Sequence, residues 1–171
     1  MTALYARALG ARFDALPDAL RRFHGGPGLW RGSARLTQGG ALARRMVRAM
    51  GYPDRDGDVP LTLRIAADGD AEVWRRDFGG HVVETRQSLV RPGVIAERLG
   101  PMTVELRCEV EAAPPGLRLA IAAARLGPLP GPRPAGGGLE RAEGRAVRFD
   151  VTARAPGLGL LIRYEGLLEP A

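Results

Sequence analysis

The chain has 171 residues and a formal net charge of +6, with arginine as its only strongly basic residue: lysine and asparagine are absent. That length fits one domain and buries about two-thirds of the unfolded surface, so a core forms without staples. A single cysteine, Cys108, excludes an internal disulfide and fits a reducing compartment.

Arg7 and Arg12 interrupt the apolar residues between Met1 and Leu16, so the N-terminus carries no secretory core segment. The longest apolar stretches, Ala120–Ala124 and Leu158–Ile162, fall far short of the roughly 20 residues of a spanning helix. A cytoplasmic location is the expectation. The arginines alternate with Asp and Glu along nearly the whole chain and read as the codon usage of a GC-rich genome. A nucleic-acid footprint would cluster them, so no specific nucleic-acid partner is expected.

In chain order, Phe13, Leu16, Leu20 and Phe23 recur at steps of three and four and predict a helical segment over residues 1–28. Gly25-Gly26-Pro27-Gly28 ends it. From Trp30 the period becomes two, as in a half-buried strand. A helix follows over Leu42–Met50: Leu42, Ala43, Met46, Val47 and Met50 form an apolar stripe opposite Arg44, Arg45 and Arg48. Gly51 and Pro53 stop it.

The remainder reads as strands and tight turns. The clearest alternation is Met102–Glu111, with Val104, Leu106, Cys108 and Val110 on one face. Leu61–Ile65, Ala71–Phe78, His81–Val90, Val94–Leu99, Leu117–Ile121, Val147–Val151 and Leu158–Tyr164 continue the pattern. Short connections imply antiparallel hairpins. The predicted fold is therefore α+β and mainly antiparallel β: a strongly curved sheet or half-barrel, its concave face plugged by the Leu42–Met50 helix. The segment Gly127–Gly138 reads as a long Pro- and Gly-rich loop, a flap at the mouth.

Candidate chemistry concentrates on one strand. Trp74, Arg76 and Phe78 share a face with Glu72, and an arginine between aromatic rings can stack while its fork binds an acid. The competing reading pairs Arg76 with Glu84 or Glu97 in the core, as buried arginines generally are. Glu97 shares the parity of Ile95 and Leu99 and points inward, and an inward carboxylate needs a partner. Trp30, Phe149 and Tyr164 complete the expected lining. His24 and His81 have no partners at ligand spacing, so no metal site is expected and no cofactor is assigned. Asp54-Arg55-Asp56-Gly57-Asp58 fails as a calcium loop, because Val59 and Ile65 stand where Gly and Glu are required. The expected ligand-binding set is Trp74, Arg76, Phe78, Glu97, Tyr164 and His24. The ligand would be small and apolar or amphipathic, with an acidic group at Arg76. An enzyme around Arg76, Glu97 and His24 is the alternative, and it requires these groups to converge.

Several of these patterns together resemble the uncharacterised bacterial family DUF4166. They are Leu16-Pro17 with Arg22-Phe23-His24, Trp74-x-Arg76-x-Phe78 before Gly79-Gly80, Glu97–Pro101, Gly116-Leu117, Gly127–Pro130, Gly144-Arg145 with Phe149-Asp150, and Tyr164-x-Gly166-x-Leu168. The resemblance covers residues 1–171 as one domain. It implies little about activity, because the family has no established function; similar domains occur alone or attached to saccharopine-dehydrogenase-like reductases. A reductase is therefore the partner it suggests, with this chain as an accessory domain. This chain has no dinucleotide-binding half. It also departs from the family at Ala135–Gly138, where a more strand-like approach to Glu140 is expected, so Glu140 is assigned no role.

Overall fold

The computed structural model describes residues 2–131 and 133–171. Met1, at the start of the predicted N-terminal segment, and Pro132, in the predicted Pro-rich loop, lie outside the described residues. The chain opens with helix α1 (Leu4–Leu9), a 3-10 turn (Gly10–Ala15) and helix α2 (Asp18–Phe23). Strand β1 (Gly28–Gln38) leads to helix α3 (Ala41–Ala49). Then come β2 (Gly57–Asp68), β3 (Ala71–Phe78), β4 (Val82–Arg91), β5 (Val94–Leu99), β6 (Met102–Ala112) and β7 (Pro115–Leu126). A two-residue β8 (Leu129–Pro130) precedes β9 (Ala135–Glu143), β10 (Ala146–Ala155) and β11 (Gly159–Pro170).

The strands form a closed antiparallel barrel, which corrects the expected half-barrel. Among the described residues, ten strands follow one another around the wall in the order β6-β5-β4-β3-β2-β1-β11-β10-β9-β7, and β6 pairs with β7 to close it. The short β8 folds back onto β7. One closing seam is local, β6 with β7 through the turn at Ala113-Pro114. The other joins the two halves of the chain: β1 pairs with β11 from Trp30↔Pro170 to Gln38↔Ile162. Closure satisfies the edges that a half-barrel would leave bare.

The plug is also not the expected one. In α3, Ala43 and Val47 face inward and are buried, whereas Leu42 and Met46 are 57% and 40% exposed. The apolar stripe is really two rows about one residue apart, and only the row of small residues packs, chiefly against β11. Close approach is enforced at Gly39, where a Cβ would lie 1.8 Å from the Leu160 carbonyl oxygen. The barrel is stoppered instead by the N-terminal segment at the opposite end. Leu4, Tyr5, Leu9, Leu20, Phe23 and His24 are all at most 3% exposed there. Each large apolar side chain so buried contributes about 1.5–3 kcal/mol. Polar contacts fix the segment's register: Gly93 N–H donates to the Ala8 carbonyl at 2.7 Å, and Leu4 N–H donates to Glu72 Oε1 at 3.2 Å.

The triple glycine Gly136-Gly137-Gly138 belongs to a strand, which corrects the predicted loop. β9 starts at Ala135 and runs between β10 and β7. At Gly137, φ is +139° and a Cβ would stand 1.9 Å from the Leu119 carbonyl oxygen, so only glycine fits. Within the expected long loop, Leu129–Pro130 and the residues from Ala135 on are strand, and Pro134 is buried against the barrel mouth.

Cys108 is buried on the inward face of β6. Desolvation pushes its thiol pKa up to about 12. The folded protein should therefore be silent to thiol reagents at pH 8 and react at once on unfolding, because the thiolate is the nucleophile. Stoichiometric labelling without denaturant would contradict this burial.

Candidate functional site

The wall alternation sends Trp74, Arg76 and Phe78 into the barrel from β3, Gln87 from β4, Glu97 from β5 and Glu140 from β9. Tyr164 enters from β11, and Tyr5 rises from the N-terminal stopper. All of these except Phe78 line a cavity of about 130 Å³. Its walls are mainly apolar, including Met102, Val104, Leu119, Ile121 and Leu161. Met50, Tyr52, Leu99 and Pro134 lie at the end where α3 sits, opposite the stopper. A smaller void of about 40 Å³ adjoins it through Trp74, Arg76, Glu140 and Tyr164, and reaches Phe23 and Phe149.

Arg76 is 8% exposed and is held by two side-chain partners. It donates through one terminal nitrogen to Thr85 Oγ1 at 2.9 Å and through the other to Glu97 Oε1 at 3.2 Å. Thr85 in turn donates to the same Glu97 oxygen at 2.7 Å. The guanidinium carbon lies 5.3 Å from the Trp74 ring centroid, within cation–π range. Burial alone would lower the Arg76 pKa, but the net shift is upward, and at working pH the Glu97 carboxylate is the charge beside it that keeps the group protonated. Arg98, next along β5, faces outward and is exposed. Glu97, not Glu84, is thus the partner.

A second polar cluster forms the floor. His24 Nε2 is hydrogen-bonded to Glu140 Oε2, and the imidazole stacks on Tyr5 with centroids 3.9 Å apart. Tyr5 O–H donates to Gln87 Oε1 at 3.0 Å, which leaves the Gln87 amide NH₂ as the donor for anything else. Glu72 accepts from Trp74 Nε1 at 3.1 Å as well as from Leu4 N–H, and so ties the cavity wall to the stopper. Desolvation raises the pKa of Tyr5, Tyr52 and Tyr164, so all three hydroxyls stay neutral at working pH.

Of the six residues expected to bind a ligand, Trp74, Arg76, Glu97 and Tyr164 line the cavity. Phe78 is fully buried behind it, packed on Tyr52 and Tyr164. His24 lies beneath the floor and reaches the cavity only through Glu140. Of the other expected lining residues, Phe149 borders the smaller void, and Trp30 packs on Phe23 in the core. The trio Arg76, Glu97 and His24 does not converge: the first two form one cluster and His24 another. His81 is exposed and hydrogen-bonds the Gly51 carbonyl at 2.7 Å. Asp54 and Asp56, in the rejected calcium loop, pair with Arg44.

Tyr5, Tyr52, Gln87 and Glu140 were missed by sequence reasoning. Tyr5 and Tyr52 lie in segments with no strand period, and Gln87 looks polar-neutral on a strand whose inward parity was legible. Glu140 carries no inward signal in the sequence, because the glycines before it read as loop.

No curated protein matches this chain in sequence. Among solved structures, the crystal structure of Rv2717c from M. tuberculosis is similar at 15% identity and a TM-score of 0.49. The match covers 91% of this chain and 99% of that one. The family model described as "Domain of unknown function (DUF4166)" matches residues 16–168, from the last turn before α2 to the end of β11. The chain belongs to the DUF4166 family.

Proposed function

We propose that this domain is a binding module that holds one compact, uncharged, mostly apolar molecule inside the barrel. The cavity carries the reading. An engineered apolar cavity of about 150 Å³ accepts benzene, whereas drug-sized ligands need about 300–1,000 Å³. A space of about 130 Å³ therefore suits a ring-sized molecule and is too small for a long acyl chain.

The polar groups on its wall refine the chemistry. The Arg76 charge is neutralised by Glu97, and Glu140 is engaged by His24. An acidic ligand would add a second carboxylate to a buried guanidinium whose charge Glu97 already balances. That disfavours the acidic group anticipated from the sequence. A neutral ring with one hydrogen-bonding substituent needs no such exchange, because the tyrosine hydroxyls and the Gln87 amide can serve it.

Mass spectrometry of small molecules extracted from the purified protein tests the proposal. The expected result is a compact neutral species recovered from the native chain and lost when Ile121→Trp fills the cavity. Recovery of the same species from both proteins would locate it elsewhere. An empty native protein that also fails to bind any ring-sized compound would overturn the reading.

A further inference from the structure

Beyond the cavity, the barrel's open end has an outer surface that its packing leaves unexplained. Strand directions place α3, the β5–β6 turn, the β7–β8 hairpin and the β10–β11 turn at this end. Two apolar pairs stand out from it. Leu42 and Met46, one helical turn apart on α3, are 57% and 40% exposed. Leu126 and Leu129, facing each other across the β7–β8 pairing, are 59% and 68% exposed. α3 packs on β11, which is three strand positions from β7, or about 14 Å along the wall.

The charge around these pairs is one-sided. Arg45, Arg98, Arg125, Arg133 and Arg154 are exposed at this end and have no ion-pair partner among the described residues. Of the acidic residues nearby, Glu84 is exposed without an ion-pair partner among the described residues, and the others are engaged. Asp54 and Asp56 pair with Arg44, Arg48 also reaches Asp54, and Asp58 pairs with Arg35. Asp77 accepts the Gly80 N–H at 2.6 Å.

From this we infer that the open end of the barrel docks on an anionic lipid surface, with Leu42/Met46 and Leu126/Leu129 as two shallow anchors and the free arginines between and beside them. A peptide partner would call for a groove joining the anchors. Two separate projecting apolar pairs on a basic rim instead suit a flat, negatively charged, deformable surface, into which apolar side chains sink while arginines stay at headgroup level. The same end carries the cavity mouth, so docking would bring it to a reservoir of apolar molecules. Docking itself does not require an occupied cavity, and the two readings can fail separately.

Vesicle co-sedimentation of the whole chain tests this inference. Binding is expected to vesicles of phosphatidylcholine with about 30% phosphatidylglycerol, to be weak on pure phosphatidylcholine, and to fall as salt is raised. The pairs L42E/M46E and L126E/L129E should each weaken binding by about tenfold while leaving the melting temperature unchanged, since these side chains are exposed. A charge-only variant, R45E/R125E, should lose the preference for anionic vesicles. Equal binding to both vesicle types, no binding, or unaltered binding by all three variants would overturn the inference. So would a salt-resistant dimer that the leucine variants convert to monomer without any vesicle binding, because the covered partner would then be a second copy.

Discussion

Replacing Arg76 with methionine is expected to lower the unfolding free energy by about 3–5 kcal/mol, the cost of leaving a buried charge without its partner. The variant keeps the stem that packs on Trp74 but strands the Glu97 carboxylate, whose contacts are Arg76 and Thr85. Glu97→Leu alone should cost a similar amount by stranding the cation. The triple variant R76M/T85V/E97L removes all three polar members together. It should recover to within about 1–2 kcal/mol of the native chain, because a buried pair roughly breaks even against well-packed apolar side chains. Urea unfolding of the four proteins measures these three differences from the native stability. A single R76M variant as stable as the native protein would show that the guanidinium is solvated, and the neutral character assigned to the cavity would fail with it.

The second large effect concerns the glycine strand. Gly137→Ala should prevent folding or cost more than about 4 kcal/mol, because its strain has no outlet. The new methyl would meet the Leu119 carbonyl oxygen at 1.9 Å, at φ +139°, in a strand paired on both sides. Its neighbour supplies the control. A Cβ at Gly138 would make ordinary contacts of 3.6–3.7 Å with Leu119 and Val151. Gly138→Ala should therefore stay within about 1 kcal/mol of the native stability. Equal effects from the two substitutions, read by circular dichroism and chemical denaturation, would mean that β9 is not threaded tightly between β7 and β10.

These glycines also show where sequence reading stops. Alternation of period two was legible wherever side chains differ between faces, and the strands around Met102–Glu111 and Ala71–Phe78 form as that rhythm requires. Glycine has no side chain to alternate, so Gly136–Gly138 gave a loop signal although the reason for the glycines is close backbone approach within a strand. Closure was hidden for another reason. The β1–β11 seam pairs residues near opposite ends of the chain, and no local pattern marks such a partner. The α3 stripe misled because an apolar helical face states only that some residues prefer burial. Packing took Ala43 and Val47 and left Leu42 and Met46 in solvent.

The site was legible in proportion to its strand content. Arg76 and Glu97 were placed inward by parity, and their pairing was one of two readings open at that point. The floor required knowing that the N-terminal stopper brings Tyr5 and His24 beneath residues from β4 and β9. That juxtaposition spans 82 residues in one contact and 116 in the other.

Methyl NMR of the methionines probes the interior most directly. Met50 and Met102 line the cavity, whereas Met46 projects from α3 into solvent. Titration with a benzene-sized neutral ring should shift the Met50 and Met102 methyl signals in a saturable way and leave Met46 in place. Signals that never move, or movement confined to Met46, would contradict an accessible chamber inside the barrel.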